Sequence, residues 1–219
     1  MTARYAPAFD LRTGAVVGAE VTGRRGGEPV ALDRLGEREA VELWSSAAGE
    51  AAGGVPARDG WWLSGPLPAG VLARGEAAQA LIDGVRVAGS DPARLVVEVG
   101  RWPAGAMPEP GLVRLLEAGV GLVVDDDPAG LAAEVAHLPV VLVRLPDAGR
   151  ASSAEVAAAG GRAAAAGLGL LADGIADHAH LQEAADGGAT VARGRCWGMP
   201  GPLGKVVTTW RRPLLRLSG

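Results

Sequence analysis

The sequence has 219 residues, of which 48% are hydrophobic and 4% aromatic, so it can form one domain (1–219) with a mainly aliphatic core. Its net charge of −4 excludes general nucleic-acid binding, and the single cysteine, Cys196, excludes an internal disulfide. No apolar run approaches the ~20 residues of a membrane span, and the amino terminus lacks a signal-peptide pattern. We therefore expect a cytoplasmic protein with no DNA, RNA or membrane partner.

Apolar segments alternate with helical patterns along most of the chain. A strand near 4–10, a turn at Thr13-Gly14 and a strand at 15–21 predict an opening hairpin. Further strands are predicted at 60–64, 94–99, 120–125, 140–145, 168–172 and 189–192. Helices are predicted between them at 37–50, 74–88, 110–118, 129–137, 152–166 and 177–186. This alternation is typical of the α/β class with a parallel sheet and right-handed crossovers.

Acidic residues stand where several of the short apolar strands end: Glu20, Glu98, Asp125, Asp126 and Asp173. They follow strands that are not adjacent along the chain, which favours closure into a barrel over an open sheet with a single switch point. The carboxyl ends of barrel strands share one face, so these side chains converge there. Carboxylates in such proximity repel one another unless protons or cations intervene, and the pattern predicts a metal-dependent site.

Six segments combine the strand ends with the polar residues around them: YAPAFDLRTGAVVGAEVTGR (5–24), LVVEVG (95–100), GLVVDDDPAG (121–130), VVLVRLP (140–146), LLADGIAD (170–177) and RGRCWGMPGPL (193–203). In order and spacing they resemble the motifs of EAL-domain cyclic-di-GMP phosphodiesterases. The resemblance covers most of the chain. It implies an α/β fold of the EAL type, a modified TIM (β/α) barrel whose first strand runs antiparallel to the others.

The resemblance also implies a chemistry, in which two divalent cations, Mg²⁺ or Mn²⁺, activate a water that attacks one phosphodiester of cyclic-di-GMP. The chain keeps a carboxylate at the five positions that match carboxylate metal ligands of the family: Glu20, Glu98, Asp125, Asp126 and Asp173. At the last of these positions the family has a glutamate, so the side chain here is shorter by one methylene. Arg24 matches the arginine that contacts a ligand phosphate.

Other positions depart from the family pattern. The expected asparagine ligand is missing and Ser64 is its nearest match, while the active-site lysine is replaced by Arg144 and the acid two residues later by Pro146. A guanidinium is planar and never accepts a proton, unlike a lysine amine. The loop after the aspartate pair has become Asp-Pro-Ala-Gly (127–130). Arg193 replaces a glutamine that reads a guanine edge, although arginine can still donate to guanine O6 or N7.

Three hypotheses follow from these losses. The first is a degenerate, catalytically inactive module that binds cyclic-di-GMP through Glu20, Arg24 and Arg193 and signals to a protein partner. The second is a surviving metal-dependent phosphodiesterase, in which Glu20, Arg144 and Asp173 are the catalytic residues. The third is an interaction scaffold that has lost its nucleotide site and works by docking or as a homodimer. We also expect Arg144 to pair with Asp125 or Asp126, so that an internal cation replaces an external one.

Two smaller groups of residues have competing interpretations. His178 and His180 lie two apart on a predicted helix and therefore on different faces, so they predict no metal site, and Asp177 is expected to cap that helix. Trp102 and Trp197 follow motif strands, and packing is the favoured role over stacking on guanine. Cys196 has no base beside it in sequence and is expected to be unreactive.

Overall fold

The described residues contain nine strands in one sheet, and eight of these strands close into a barrel. The computed structural model describes residues 1–55, 60–101, 107–126 and 138–210. The strands are β1 (Thr2–Asp10), β2 (Val16–Arg25), β3 (Glu28–Val30), β4 (Trp62–Gly65), β5 (Leu95–Val99), β6 (Gly121–Asp125), β7 (Val140–Leu145), β8 (Gly169–Ala172) and β9 (Val191–Arg193). Pairing runs β2-β4-β5-β6-β7-β8-β9 in parallel, and β1 closes the barrel by pairing antiparallel with both β2 and β9. The predicted barrel with an antiparallel first strand is confirmed.

The β1–β2 turn accounts for the antiparallel start. Both the backbone N and Oγ1 of Thr13 donate to the Asp10 carboxylate, at 2.6 and 2.7 Å, and Gly14 adopts a φ of 68° that other residues rarely reach. A connection this short can only return the chain beside the strand it leaves. Beyond the predicted end at residue 21, β2 continues to Arg25 and turns into β3, which the sequence analysis did not predict.

Seven α-helices lie among the described residues: α1 (Glu37–Gly54), α2 (Ala69–Ala73), α3 (Gly75–Val87), α4 (Pro110–Glu117), α5 (Ser153–Ala165), α6 (His178–Asp186) and α7 (Leu203–Trp210). Most follow the predicted positions to within a few residues, whereas α2 and α7 were not predicted. The predicted helix at 129–137 lies outside the described residues. A capping box between Ser152 and Glu155 begins α5, and Asp177 caps α6 as expected. None of the helices in the described ranges combines the length and apolar character needed to cross a bilayer.

Alternation along the strands separates two apolar regions. Outward-facing residues such as Tyr5 and Phe9 of β1 pack in the large core that also contains Trp44 of α1. Inward-facing residues form a layer that fills the middle of the barrel: Ala8, Val96, Val123, Leu142, Leu171 and Val191. This layer supports the positions two residues further along each parallel strand, which carry the polar side chains described next.

Candidate functional site

The next inward-facing position on each barrel strand, towards the carboxyl ends of the parallel strands, forms a second layer that is mostly polar. Each strand of the barrel contributes one residue, and the contribution of β8 is the residue directly after its end: Ala6, Glu20, Ser64, Glu98, Asp125, Arg144, Asp173 and Arg193. We call this set the mouth layer. It contains four carboxylates and two guanidinium groups, so the predicted convergence of acidic residues is accompanied by two cations from the chain itself.

Arg193 is the centre of the mouth layer and is only 1% exposed. Its Nε and Nη2 donate to Asp173 at 2.9 and 2.6 Å, and its Nη1 and Nη2 donate to both oxygens of Glu98. Nη1 also donates to Ser64 Oγ at 3.2 Å. These contacts use all five N–H groups of the guanidinium. Arg193, interpreted from sequence as a ligand contact, is therefore occupied by protein groups beneath the mouth.

Arg144 bridges Glu98 and one further carboxylate of the same layer, Asp125. Its Nε donates to Asp125 Oδ1 at 2.6 Å, one of the two partners predicted from the sequence, and its Nη1 donates to Glu98 Oε2 at 2.6 Å. Asp173 lies 4.0 Å from the same Nη1. Glu98 is thus held by two arginines from β7 and β9, and both of its oxygens accept charge-assisted hydrogen bonds.

The two arginines determine the charge states of the carboxylates around them. Burial raises the pKa of Glu98, but the hydrogen bonds and charge of Arg193, with Arg144, outweigh it and hold the pKa below its ordinary value. The same balance lowers the pKa of Asp173. Both groups are therefore ionised at neutral pH, and each is matched to a guanidinium.

Glu20 is the exception among the carboxylates. Its Oε2 lies 3.7 Å from Arg193 Nε, too far for a hydrogen bond, and within the described residues it accepts none. Burial raises the pKa of Glu20 to about 7; the charge of Arg193 opposes this rise, while Glu98 and Asp173 add to it. Glu20 therefore titrates near neutral pH, whereas Glu98 and Asp173 stay ionised.

Asp126 lies apart from the mouth layer, although the sequence grouped it with Asp125. Arg162 of α5 donates to it from Nε and Nη2 at 2.9 and 2.5 Å, and the Asp126 side chain is only 4% exposed. Its backbone N also donates to the Arg144 carbonyl at 2.6 Å. Adjacent residues on a strand face opposite sides, so Asp125 enters the barrel and Asp126 fastens the end of β6 to α5.

Arg24 also lies outside the mouth layer. It is four residues beyond Glu20 on β2, about 13 Å along the strand, and its Nη1 donates to the Gly27 carbonyl at 2.7 Å. The alternation of β2 nevertheless places Arg24 on the same side of the strand as Glu20. It therefore lies above the mouth layer, on the two-stranded ribbon that the extended part of β2 forms with the beginning of β1.

The donor set of the mouth layer does not fit a divalent cation in this arrangement. Hard cations need several free carboxylate oxygens at about 2.0–2.6 Å, but Glu98 has both oxygens engaged and Asp125 and Asp173 accept from guanidinium groups. Over the ranges that the structure describes, no three ligating side chains are grouped to hold a metal ion. Positive charge is instead supplied by Arg144 and Arg193.

The remaining residues singled out from sequence have structural roles where the structure describes them. Trp197 stacks on Phe9 with ring centroids 4.6 Å apart, so it packs against the barrel. His180 Nδ1 lies 2.8 Å from the carboxylate of the helix cap Asp177. Burial raises the pKa of Cys196 to about 12, consistent with an unreactive thiol. Trp102 and the loop 127–130 lie outside the described residues.

Comparisons with known proteins define the fold further. A modified TIM barrel with this antiparallel first strand is shared with the EAL domain of Mycobacterium smegmatis DcpA (19% identity, TM-score 0.74, covering 96% of this chain and 97% of that one). The PaMucR phosphodiesterase in complex with c-di-GMP is similar too (19% identity, TM-score 0.73, covering 94% and 93%). Bacillus subtilis YkuI, an EAL-domain protein in complex with c-di-GMP and calcium, matches with 17% identity, a TM-score of 0.69, and coverage of 96% and 60%. No protein-family model and no curated protein sequence matches the chain.

The chain therefore has the EAL-type barrel fold that its motifs predicted. The sequence analysis did not find Arg162 as the partner of Asp126, nor the arrangement in which Arg193 joins Glu98 to Asp173. A signal for the second was present, because Arg193 stands two residues after Val191, at the same inward spacing that separates Val96 from Glu98.

Proposed function

We propose that this chain is a regulatory EAL-fold module that binds cyclic-di-GMP without hydrolysing it and without a divalent metal. The observation that carries the proposal is the pair of internal guanidinium groups, Arg144 and Arg193, on the carboxylates of the mouth layer. These two cations belong to the protein itself, and they occupy carboxylate oxygens that a metal ion would need.

Hydrolysis by paired metal ions requires carboxylates that hold two ions against the attacking and leaving oxygens. Here Glu98 is saturated by two arginines, and Asp126 is turned to Arg162. Arg144 stands where the resemblance expects a lysine, and its guanidinium cannot take a proton from water. These features together support binding over turnover.

Nucleotide binding is supported by the fold and by the solved structures of PaMucR and YkuI, which hold c-di-GMP. In this chain the nucleotide would lie above the mouth layer, beside Glu20 and the Arg24 ribbon. A protein partner would then distinguish the nucleotide-bound module from the free one. Such signalling is the role that we propose for a module that binds the nucleotide but does not hydrolyse it.

The test is calorimetric titration of cyclic-di-GMP into the purified protein, once with Mg²⁺ and once with EDTA, followed by chromatography of the mixture. We expect saturable binding of equal affinity in both buffers and no linear pGpG. Accumulation of pGpG with Mg²⁺ or Mn²⁺ would overturn the proposal in favour of a phosphodiesterase. An absence of heat in both buffers would overturn it in favour of a scaffold without a nucleotide site.

A variant with Arg144→Lys and Arg193→Gln tests the internal-cation argument directly. It removes both guanidinium groups and one positive charge and restores the residue types that the resemblance expects, leaving Glu98, Asp125 and Asp173 with free oxygens. Mn²⁺ should raise the melting temperature of this variant and leave that of the wild type unchanged. A wild-type protein that is stabilised by Mn²⁺ to the same extent would contradict the role assigned to the two arginines.

A further inference from the structure

A second arginine stands beside Arg24 on the ribbon above the mouth. β1 pairs with β2 so that Arg4 lies opposite Thr22 and Thr2 lies opposite Arg24. Arg4 and Arg24 are therefore diagonal neighbours, with backbones about 7–8 Å apart. Two arginine side chains at that separation can approach the same phosphate group from both sides.

Both arginines are on the side of the ribbon that continues the barrel interior. On β1, Ala3 and Tyr5 pack in the outer core, whereas Ala8 belongs to the inner layer, so Arg4 shares the inward side with Ala6 and Ala8. On β2 the same side carries Glu20, Thr22 and Arg24. Opposite Glu20 stands Ala6, so the residue that faces this carboxylate across the ribbon has a small side chain.

In the part of the chain that the structure describes, the guanidinium groups of this pair donate only to backbone carbonyls. Among the hydrogen bonds of the described ranges, Arg4 donates to the Ala3 carbonyl at 2.8 Å and Arg24 to the Gly27 carbonyl at 2.7 Å. Within the same ranges neither forms an ion pair, and both are half-buried. Arg25, on the opposite side of β2, is instead bound to Glu39 at 2.5 Å. Arginines that keep most of their donors free are suited to bidentate contact with phosphate.

We infer that Arg4 joins Arg24, the arginine that the resemblance matches to a phosphate contact, in a two-arginine clamp for a phosphodiester of the bound nucleotide, with Arg4 the contact nearer the mouth layer. Arg4 lies about 7 Å along the ribbon from Glu20, half the distance of Arg24. The clamp rests on the proposed function and explains how a phosphate is held without metal ions. It also sets the ligand class: an anion with phosphate groups that enters above an acidic layer.

The experiment compares Arg4→Ala, Arg24→Ala and Arg25→Ala by calorimetry in EDTA, with cyclic-di-GMP and with inorganic pyrophosphate as probes. Loss of a charge-assisted contact should weaken binding about tenfold or more in each of the first two variants. Arg25→Ala removes the same charge from the same hairpin and should leave the affinity unchanged. Arg4→Lys keeps the charge without the planar fork and should fall between the wild type and Arg4→Ala.

The two probes separate this inference from the proposed function. The clamp is supported if Arg4→Ala weakens pyrophosphate binding and Arg25→Ala leaves it unchanged. This conclusion holds even if cyclic-di-GMP does not bind, in which case only the proposed function is overturned. Affinity for both probes that is unchanged in Arg4→Ala overturns the clamp, whatever Arg24→Ala does. Equal losses in all three variants would also overturn it, because they would show a diffuse charge effect. Thermal melting of each variant confirms that the fold is intact.

Discussion

Replacement of Arg193 by methionine should cost a large part of the stability of the domain. The guanidinium is 1% exposed and donates five hydrogen bonds, and its loss leaves Glu98 and Asp173 ionised in a buried layer with Arg144 as the remaining cation. Breaking a buried ion pair by removing one partner costs about 3–5 kcal/mol. For a domain of this size that corresponds to a fall in melting temperature of about 10 °C.

The pH dependence distinguishes this mechanism from simple loss of packing. Arg193 holds the pKa values of Glu98 and Asp173 below their ordinary values, so the stabilisation they provide is present above pH ~4 and is lost as the pH falls through the folded-state values. The variant lacks this stabilisation. Its melting temperature should therefore approach that of the wild type as the pH is lowered from 7 to 3.

Thermal denaturation at pH 7, 5 and 3 provides the assay, with Arg114→Met as the control. Arg114 is exposed and pairs with Glu117 at 3.4 Å, so its replacement should change stability by about 0.5 kcal/mol or less. An Arg193→Met protein as stable as the wild type at pH 7 would refute the reasoning. So would a deficit that stays the same at pH 3, since it would show that charge is not its cause.

Three further results are expected in thermal denaturation. Arg162→Met should cost about 2 kcal/mol, because it leaves the buried Asp126 carboxylate without its bidentate partner; no change would contradict the link between β6 and α5. Glu20→Gln should stabilise the domain by about 3 kcal/mol at most at pH 8 and hardly at pH 4. The reason is that a folded-state pKa of about 7 makes ionised Glu20 unfavourable for folding only above pH 4.5. An equal gain at pH 8 and pH 4 would show that the ionisation of Glu20 is not the cause. Gly111→Ala should destabilise the domain by several kcal/mol, because a Cβ at this position would lie 2.1 Å from the backbone oxygen of Val71 in α2. Gly53→Ala is the control, since a Cβ there would have no atom within 4 Å.

The fold was predictable because its signals are local. Alternating strand and helix patterns, the Asp10–Thr13 turn and the cap at Asp177 each depend on residues within a few positions of one another. The extension of β2 to Arg25 was missed because Gly26 and Gly27 end it in a turn without an apolar pattern that would indicate a paired strand.

The site was predictable only in part. The acidic residues could be found from their positions at strand ends, and the Arg144–Asp125 pair from their neighbouring strands. The inward position of Arg193 could be inferred from its spacing to Val191, but its partners Glu98 and Ser64 could not, because they lie 95 and 129 positions away and meet it only through closure of the barrel. Because side chains alternate along a strand, Asp125 and Asp126 must face opposite sides of β6. The sequence alone therefore contains the signal that Asp126 does not share the site of Asp125.

The position of Arg193 on the last strand has a consequence for the order of folding. Its bonds to β4, β5 and β8 form only when β9 docks against β1 and β8, so earlier partly folded states hold Glu98 and Asp173 without their cation. Bringing together positions 95 and 129 residues apart costs loop-closure entropy before their contacts can form, so we expect a low φ-value for Arg193 in folding. Replacement of Arg193 should then act chiefly on the rate of unfolding.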